Sequence, residues 1–198
     1  MDTKSNVVFT WHCFSKFQDV RVIMMRVTSL LAIFILVALG ALLALVYSGV
    51  INVAAKEPEH PYERWLLQTA KIYSVQYHAN QNVKPPDLND PSLIEEGYQH
   101  YRETCVTCHG APGIQPSEIG KGLSPPPPEL AKDAYPWSDA ELFWIIENGI
   151  KMTGMPALGP AHSEGELWAL VAFVKRLPQM TAKEYQSFRE HDAHRHSH

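Results

Sequence analysis

Cys105-Val106-Thr107-Cys108-His109 is the stretch on which the reading of the whole chain turns. Two thiols separated by two residues and followed at once by histidine have the C-x-x-C-H spacing of covalent haem attachment. Both thiols add to the porphyrin vinyl groups, and the adjacent imidazole reaches the iron from the proximal side. A zinc site is the first alternative, but it needs four ligands, and Cys13 is the only other cysteine, so a second pair is missing. A thioredoxin-like redox pair needs a βαβ setting, and no strand alternation is visible. One covalently bound haem c is therefore expected.

Outward from this pentapeptide the chain reads as helices. Ser92-x-x-Glu95, Ser138-x-x-Glu141 and Ser163-x-x-Glu166 each have the form of a capping box, in which serine satisfies a free backbone N–H and glutamate reaches back to the cap. The first helix is expected to run to about Thr104. The second is expected to run to about Asn148, with Gly149 as its stop. The third is expected from Glu164 to Leu177, ended by Pro178. Between the first two lies an irregular stretch, Gly110 to Trp137, with Pro112, Pro116, the run Pro125 to Pro128, and Pro136. A loop of that length in a small domain makes sense if something other than protein fills the middle. The expected class is all-α.

Bulk properties narrow the field. The chain has 198 residues, 45% hydrophobic and 19% charged, with a net charge of −4. That suits a folded protein. The absence of any Lys/Arg-rich run excludes nucleic acid as a partner. Residues 1–55 carry Lys4, Lys16, Arg21 and Arg26 against Asp2 and Asp19, a net of +2, so the remainder carries −6. Such an acidic part favours partners with a basic docking face. Three cysteines are too few for the disulfide framework of a small secreted fold.

From Val27 to Ala55 no residue is charged, and Leu30 to Val46 is almost wholly aliphatic. Roughly 20 helical residues cross a hydrocarbon core of about 30 Å, so residues 27–50 are expected to be a transmembrane anchor. Val53-Ala54-Ala55 could mimic a signal cleavage site, but the apolar run is longer than a signal peptide's and an uncleaved anchor is favoured. Arg21 and Arg26 precede the span, whereas Lys56 is balanced by Glu57 and Glu59. The positive-inside rule then puts residues 1–26 in the cytoplasm and the rest outside. Met24-Met25-Arg26 reads as a natural start for a signal-anchor, and translation is expected to begin there, leaving Cys13 without a role.

Residues 51–91 read as linker plus amphipathic helix. Tyr62, Leu66, Thr69, Tyr73 and Tyr77 fall at helical spacing up to about Ala79. This stripe is expected to pack on the domain's own surface; a docking face for a partner subunit is the other reading. Pro85, Pro86 and Pro91 then break regularity.

Taken together, Ser92 to Leu177 resembles the small single-haem cytochrome c domain: helix, C-x-x-C-H, proline-rich loop, helix, Met-Pro, final helix. The resemblance covers under half of the chain. It implies an electron-transfer domain over residues 92–180, with Cys105 and Cys108 holding the haem and His109 and Met155 ligating the iron. Met155 has the family's place before Pro156; Met152 is the rival ligand and His162 a further candidate. A carbonyl in the Pro125–Pro128 run is implied as the acceptor for the His109 N–H. Gly97 with Tyr101, against Leu170 and Phe173 and sealed by Trp168, is implied as the close crossing of first and last helices. His/Met ligation raises the reduction potential and leaves no iron site for a substrate. The expectation is therefore an electron carrier, or the electron-accepting subunit of an oxidoreductase complex, and not an enzyme. Its partners would be redox proteins, with no small-molecule substrate. It would be anchored by one span in a bacterial inner membrane, its haem domain periplasmic. Alternatives are a haem enzyme or gas sensor in which Met155 leaves the iron. Residues 181–198 read as a polar tail whose alternating histidines, His191 to His198, could bind zinc, copper or nickel.

Overall fold

The computed structural model describes residues 4–57, 59–79, 83–132 and 136–195, and the side chains of 1–20 and 189–198 lie outside that description. The chain divides into two compact units, Met1–Val53 and Ala54–His198. Among the described residues no strand ladder forms; the one extended pairing is an isolated bridge between Ala111 and Ile114.

The first unit is a single helix, α1 (Lys4–Tyr47). Its Arg21–Tyr47 portion is 27 residues with no part of its apolar window buried, long and apolar enough to cross a membrane. At 1.5 Å per residue it extends about 40 Å. From sequence, residues 1–23 belong to no element; instead the helix runs back through them to Lys4. Cys13 lies outside the described side chains.

The second unit follows in the order α2 (Pro61–His78), α3 (Pro91–His100), a π turn (Tyr101–Cys105), α4 (Val106–His109), α5 (Glu118–Lys121), α6 (Asp139–Asn148), α7 (Glu164–Arg176), a 3-10 turn (Leu177–Gln179) and α8 (Ala182–Arg195). Ser138 and Ser163 cap α6 and α7 through the reciprocal bonds expected of Glu141 and Glu166. The first of the three caps differs. Asp90 caps α3, accepting from the Ser92 N–H at 2.9 Å, with Pro91 at the first helical position. Proline there loses no hydrogen bond and its fixed φ suits the turn, so Asp-Pro moves the cap two residues ahead of Ser92.

The core is the crossing of α3 and α7, the most extensive helix pairing. A Cβ on Gly97 would lie 2.0 Å from the Ala169 carbonyl oxygen and 2.8 Å from the Phe173 Cβ, so only glycine lets the backbones meet. Around that contact Tyr98, Tyr101, Leu170 and Phe173 are fully buried. Trp168 stacks on Phe143 with centroids 4.4 Å apart, tying α7 to α6.

Two expectations change. Residues 181–198 read as a polar tail, yet 182–195 are helical, and Tyr185 is buried against Tyr98 and Phe173 with Phe188 beside them. Thr181 caps this helix through Glu184, which accepts from its N–H at 2.7 Å and from its hydroxyl at 2.8 Å. It is a further capping box, hidden by the polar composition around it. The second change concerns α2. Its tyrosine stripe does not pack on the domain; Val75 and Ala79 are the buried residues, and His78 stacks on Trp144 at 5.9 Å.

Candidate functional site

Cys105, Cys108 and His109 stand at positions i, i+3 and i+4, so helical geometry sets them on one face. The π turn Tyr101–Cys105 leads into them. It inserts one extra residue per turn, which keeps Tyr101 in the core while the next face turns to the cavity. The Tyr101 hydroxyl donates to the Gly110 carbonyl at 2.6 Å, fastening the far end of the motif. Gly110 has φ of +65°, and a Cβ there would meet the Ile114 carbonyl at 2.6 Å, so the chain can reverse directly after His109 only through glycine. Beneath the motif α5 packs closely. Its Gly120 leaves only 2.8 Å between a hypothetical Cβ and the Thr107 carbonyl, and the Ser117 N–H donates to that same carbonyl at 2.9 Å.

These three side chains open onto one cavity of about 1260 Å³, which Met155 also lines. The volume exceeds the roughly 300–1,000 Å³ of ordinary small-molecule sites. Leu123, the Pro125–Pro128 run, Leu130, Trp137, Ile146 and Leu158 supply apolar wall. Of the stretch Gly110 to Trp137, Leu123, Pro125–Leu130, Lys132 and Trp137 border the cavity, while Glu118–Lys121 form α5.

The His109 Nδ1 lies 2.9 Å from the Pro128 carbonyl oxygen. A carbonyl only accepts, so Nδ1 carries the proton and Nε2 keeps its lone pair. Burial pulls the His109 pKa below the usual imidazole value, against a smaller opposing effect of the Pro128 carbonyl, so the ring is neutral and its lone pair available. Of the four prolines, Pro128 is the acceptor. Burial also pushes the Cys105 thiol up to about 11, with the neighbouring Cys108 adding to it and the Thr104 hydroxyl, 3.3 Å from the sulfur, opposing.

Met155 is fixed by its backbone. Its N–H donates to the Thr153 hydroxyl at 3.1 Å, and its carbonyl accepts from Ile150 at 3.2 Å. Gly149, with φ of +65°, leaves room for that carbonyl, which a Cβ would meet at 2.7 Å. Met152 is 79% exposed and is not among the cavity residues. His162 is also elsewhere: its Nδ1 donates to the Leu158 carbonyl at 3.1 Å, and it lines a separate cleft of about 400 Å³ with His78 and Trp144. Among the described residues no group of three or more His, Cys, Asp or Glu is placed to hold a metal ion. The tail histidines 196–198 lie outside the described residues, and the side chains of His191 and His194 do too.

Two of the wall residues missed from sequence lie ahead of residue 92. Gln68 and Lys71 come from α2, which lies ahead of the segment carrying the resemblance. Lys71 is half-buried, and desolvation lowers its pKa. Only its position three residues from Gln68 on one helix face could have signalled this.

Residues 92–174 match the family model described as cytochrome c oxidase, cbb3-type, subunit III, a c-type cytochrome domain, over under half of the chain. No curated protein matches the chain significantly. A c-type cytochrome domain binds haem c and transfers electrons, and the donors here suit it: two thiols, a neutral imidazole and a thioether around one large apolar cavity. Residues 92–174 are therefore a c-type cytochrome domain, in a chain whose N-terminal helix is long and apolar enough to anchor it in a membrane.

Proposed function

We propose that this chain is a membrane-anchored electron carrier, or the electron-accepting subunit of an extracytoplasmic oxidoreductase complex. It would bind a single haem c through thioether bonds from Cys105 and Cys108, with His109 Nε2 and Met155 Sδ as the iron's protein ligands. The observation that carries this reading is the convergence of those four side chains on one cavity, with the imidazole already oriented by Pro128. When bound, the haem supplies a one-electron Fe(II)/Fe(III) couple.

The protein's part is binding and tuning. The Pro128 carbonyl holds the His109 ring in one tautomer and strengthens it as a donor. The Thr153 and Ile150 contacts fix the Met155 backbone, and a thioether ligand there would favour the reduced metal and raise the potential. The apolar part of the wall would oppose the extra charge of the oxidised state. If His109 and Met155 both hold the iron, it would keep no site for a substrate, which favours carrier over enzyme.

Residues 27–50 would be an uncleaved single span of a bacterial inner membrane. Arg21 and Arg26 on one side, and the net-negative 56–59 stretch on the other, support a periplasmic haem domain.

The test is a redox titration, followed by absorption spectroscopy, of holoprotein carrying Met155→Leu or Met152→Leu. Met155→Leu should lower the midpoint potential and let the reduced protein bind carbon monoxide. Met152→Leu should change neither. An unchanged potential and spectrum in Met155→Leu would sink the ligand assignment, and pigment extracted by acidified organic solvent would sink covalent attachment.

A further inference from the structure

Helix α2 has its amphipathic pattern turned inside out. The side that meets the rest of its unit carries Gln68, Lys71 and His78 with Val75. The opposite side carries Trp65, Tyr62, Tyr73, Leu66 and Tyr77, all exposed: Trp65 by 68%, Tyr73 by 69% and Tyr77 by 85%. At 3.6 residues per turn, the arc from Ile72 round to Ala70 covers roughly 160° and contains no charged residue. Glu63, Arg64 and Lys71 all lie outside it. Among the described residues, Tyr62 and Tyr77 make ring contacts with His60 and His78, at the ends of the same helix. A surface helix normally keeps its charges outward and its apolar stripe inward, so something other than water must cover this face.

We infer that the outward face of α2 lies on a lipid bilayer, at headgroup level. Composition is the first support: tyrosine and tryptophan, with an apolar ring and a polar edge, are the residues that settle at the membrane–water interface, and this face has three tyrosines and a tryptophan. The chain is the second. Thirteen residues, 48–60, join the end of α1 to the start of α2. They reach at most about 45 Å when fully extended. A tether this short holds the helix at a high effective concentration near a surface, so modest apolar burial suffices to dock it. The inference rests on the proposed membrane anchoring of α1 and extends it to a second, interfacial element.

The test uses full-length holoprotein in proteoliposomes, with Cys13→Ser as background. Nitroxide labels are placed at Gln76→Cys on the aromatic face, Ser187→Cys on α8 and Leu36→Cys in the apolar part of α1. Collision rates are read with oxygen, which concentrates in lipid, and with a neutral nickel chelate, which stays in water. The label at 76 should show a several-fold higher oxygen-to-nickel ratio than that at 187. Replacing Tyr62, Trp65, Tyr73 and Tyr77 with serine should abolish the difference while the haem spectrum stays unchanged. Equal ratios at 76 and 187, with the label at 36 still lipid-buried, would overturn the inference. A label at 76 shielded from both reagents would show a protein partner on this face and overturn it too. A water-exposed label at 36 would instead remove the anchor on which it rests.

Discussion

Replacing Gly97 with alanine should separate the two helices on which the cavity is built. The new methyl would lie 2.0 Å from the Ala169 carbonyl oxygen and 2.6 Å from its carbon. An ordinary carbon–oxygen approach is roughly 3.3–3.6 Å, so the shortfall exceeds about 1.3 Å. Both obstructing atoms are backbone, and no rotamer change relieves them. Overpacking of a core costs about 1–3 kcal/mol and sometimes more. The better helix propensity of alanine returns at most about 1 kcal/mol. The contact is at the severe end, so a net loss of about 2 kcal/mol is expected, which lowers the melting temperature by roughly 4–8 °C for a unit of this size. The assay is thermal unfolding of the holoprotein followed by far-ultraviolet circular dichroism, with the visible spectrum confirming haem content. Gly165→Ala is the matched control. It lies in the first turn of α7, where a Cβ would meet nothing closer than the Ser163 hydroxyl at 4.0 Å, and it should melt no lower than the parent. If Gly97→Ala melts at or above the parent, the close-contact reasoning is wrong.

Two further perturbations follow from the same core. Tyr185→Ala should destabilise by about 3 kcal/mol, as loss of a buried aromatic does, because that ring packs fully buried against Tyr98 and Phe173; a denaturant midpoint equal to the parent's would return residues 181–195 to the status of a loose tail. Glu166 accepts from the Ser163 N–H and hydroxyl, and those bonds hold its carboxyl below the usual value, with His100 and His162 adding to the effect. A depressed carboxyl gives stability that is present above its unfolded pKa and lost as pH falls through the lowered folded value. Glu166→Gln should therefore flatten the acid limb of stability against pH and leave the alkaline limb alone, whereas superimposable acid limbs would refute it.

The sequence told most where one physical cause governs a few adjacent residues. Ser138 and Ser163 are followed three residues later by glutamate, and both caps form as written. Gly97 inside a helix needed a packing reason, and the Ala169 carbonyl is it. Thr181 with Glu184 has the same pattern as the serine caps, yet the polar residues around it masked the single buried face made by Tyr185 and Phe188. The α2 stripe misled because periodicity reveals that a helix has two faces and not which one meets the core. Asp90-Pro91 took the α3 cap from Ser92 because proline favours the first helical position. The choice of Pro128 among four prolines depends on three-dimensional loop geometry, which no spacing rule contains.

The cavity wall does not respect the boundaries of the family match. Gln68 and Lys71 come from before residue 92, and Lys175, Pro178 and Gln179 from after residue 174. The matched segment is thus a partial vessel. Transplanted alone into another protein it would be breached on two sides, and the metal would sit wetter, with its oxidised state favoured and its midpoint moved downward. Sequence outside the recognisable motif would therefore help to set the potential of a haem held here, and two chains sharing the motif need not be interchangeable as redox parts.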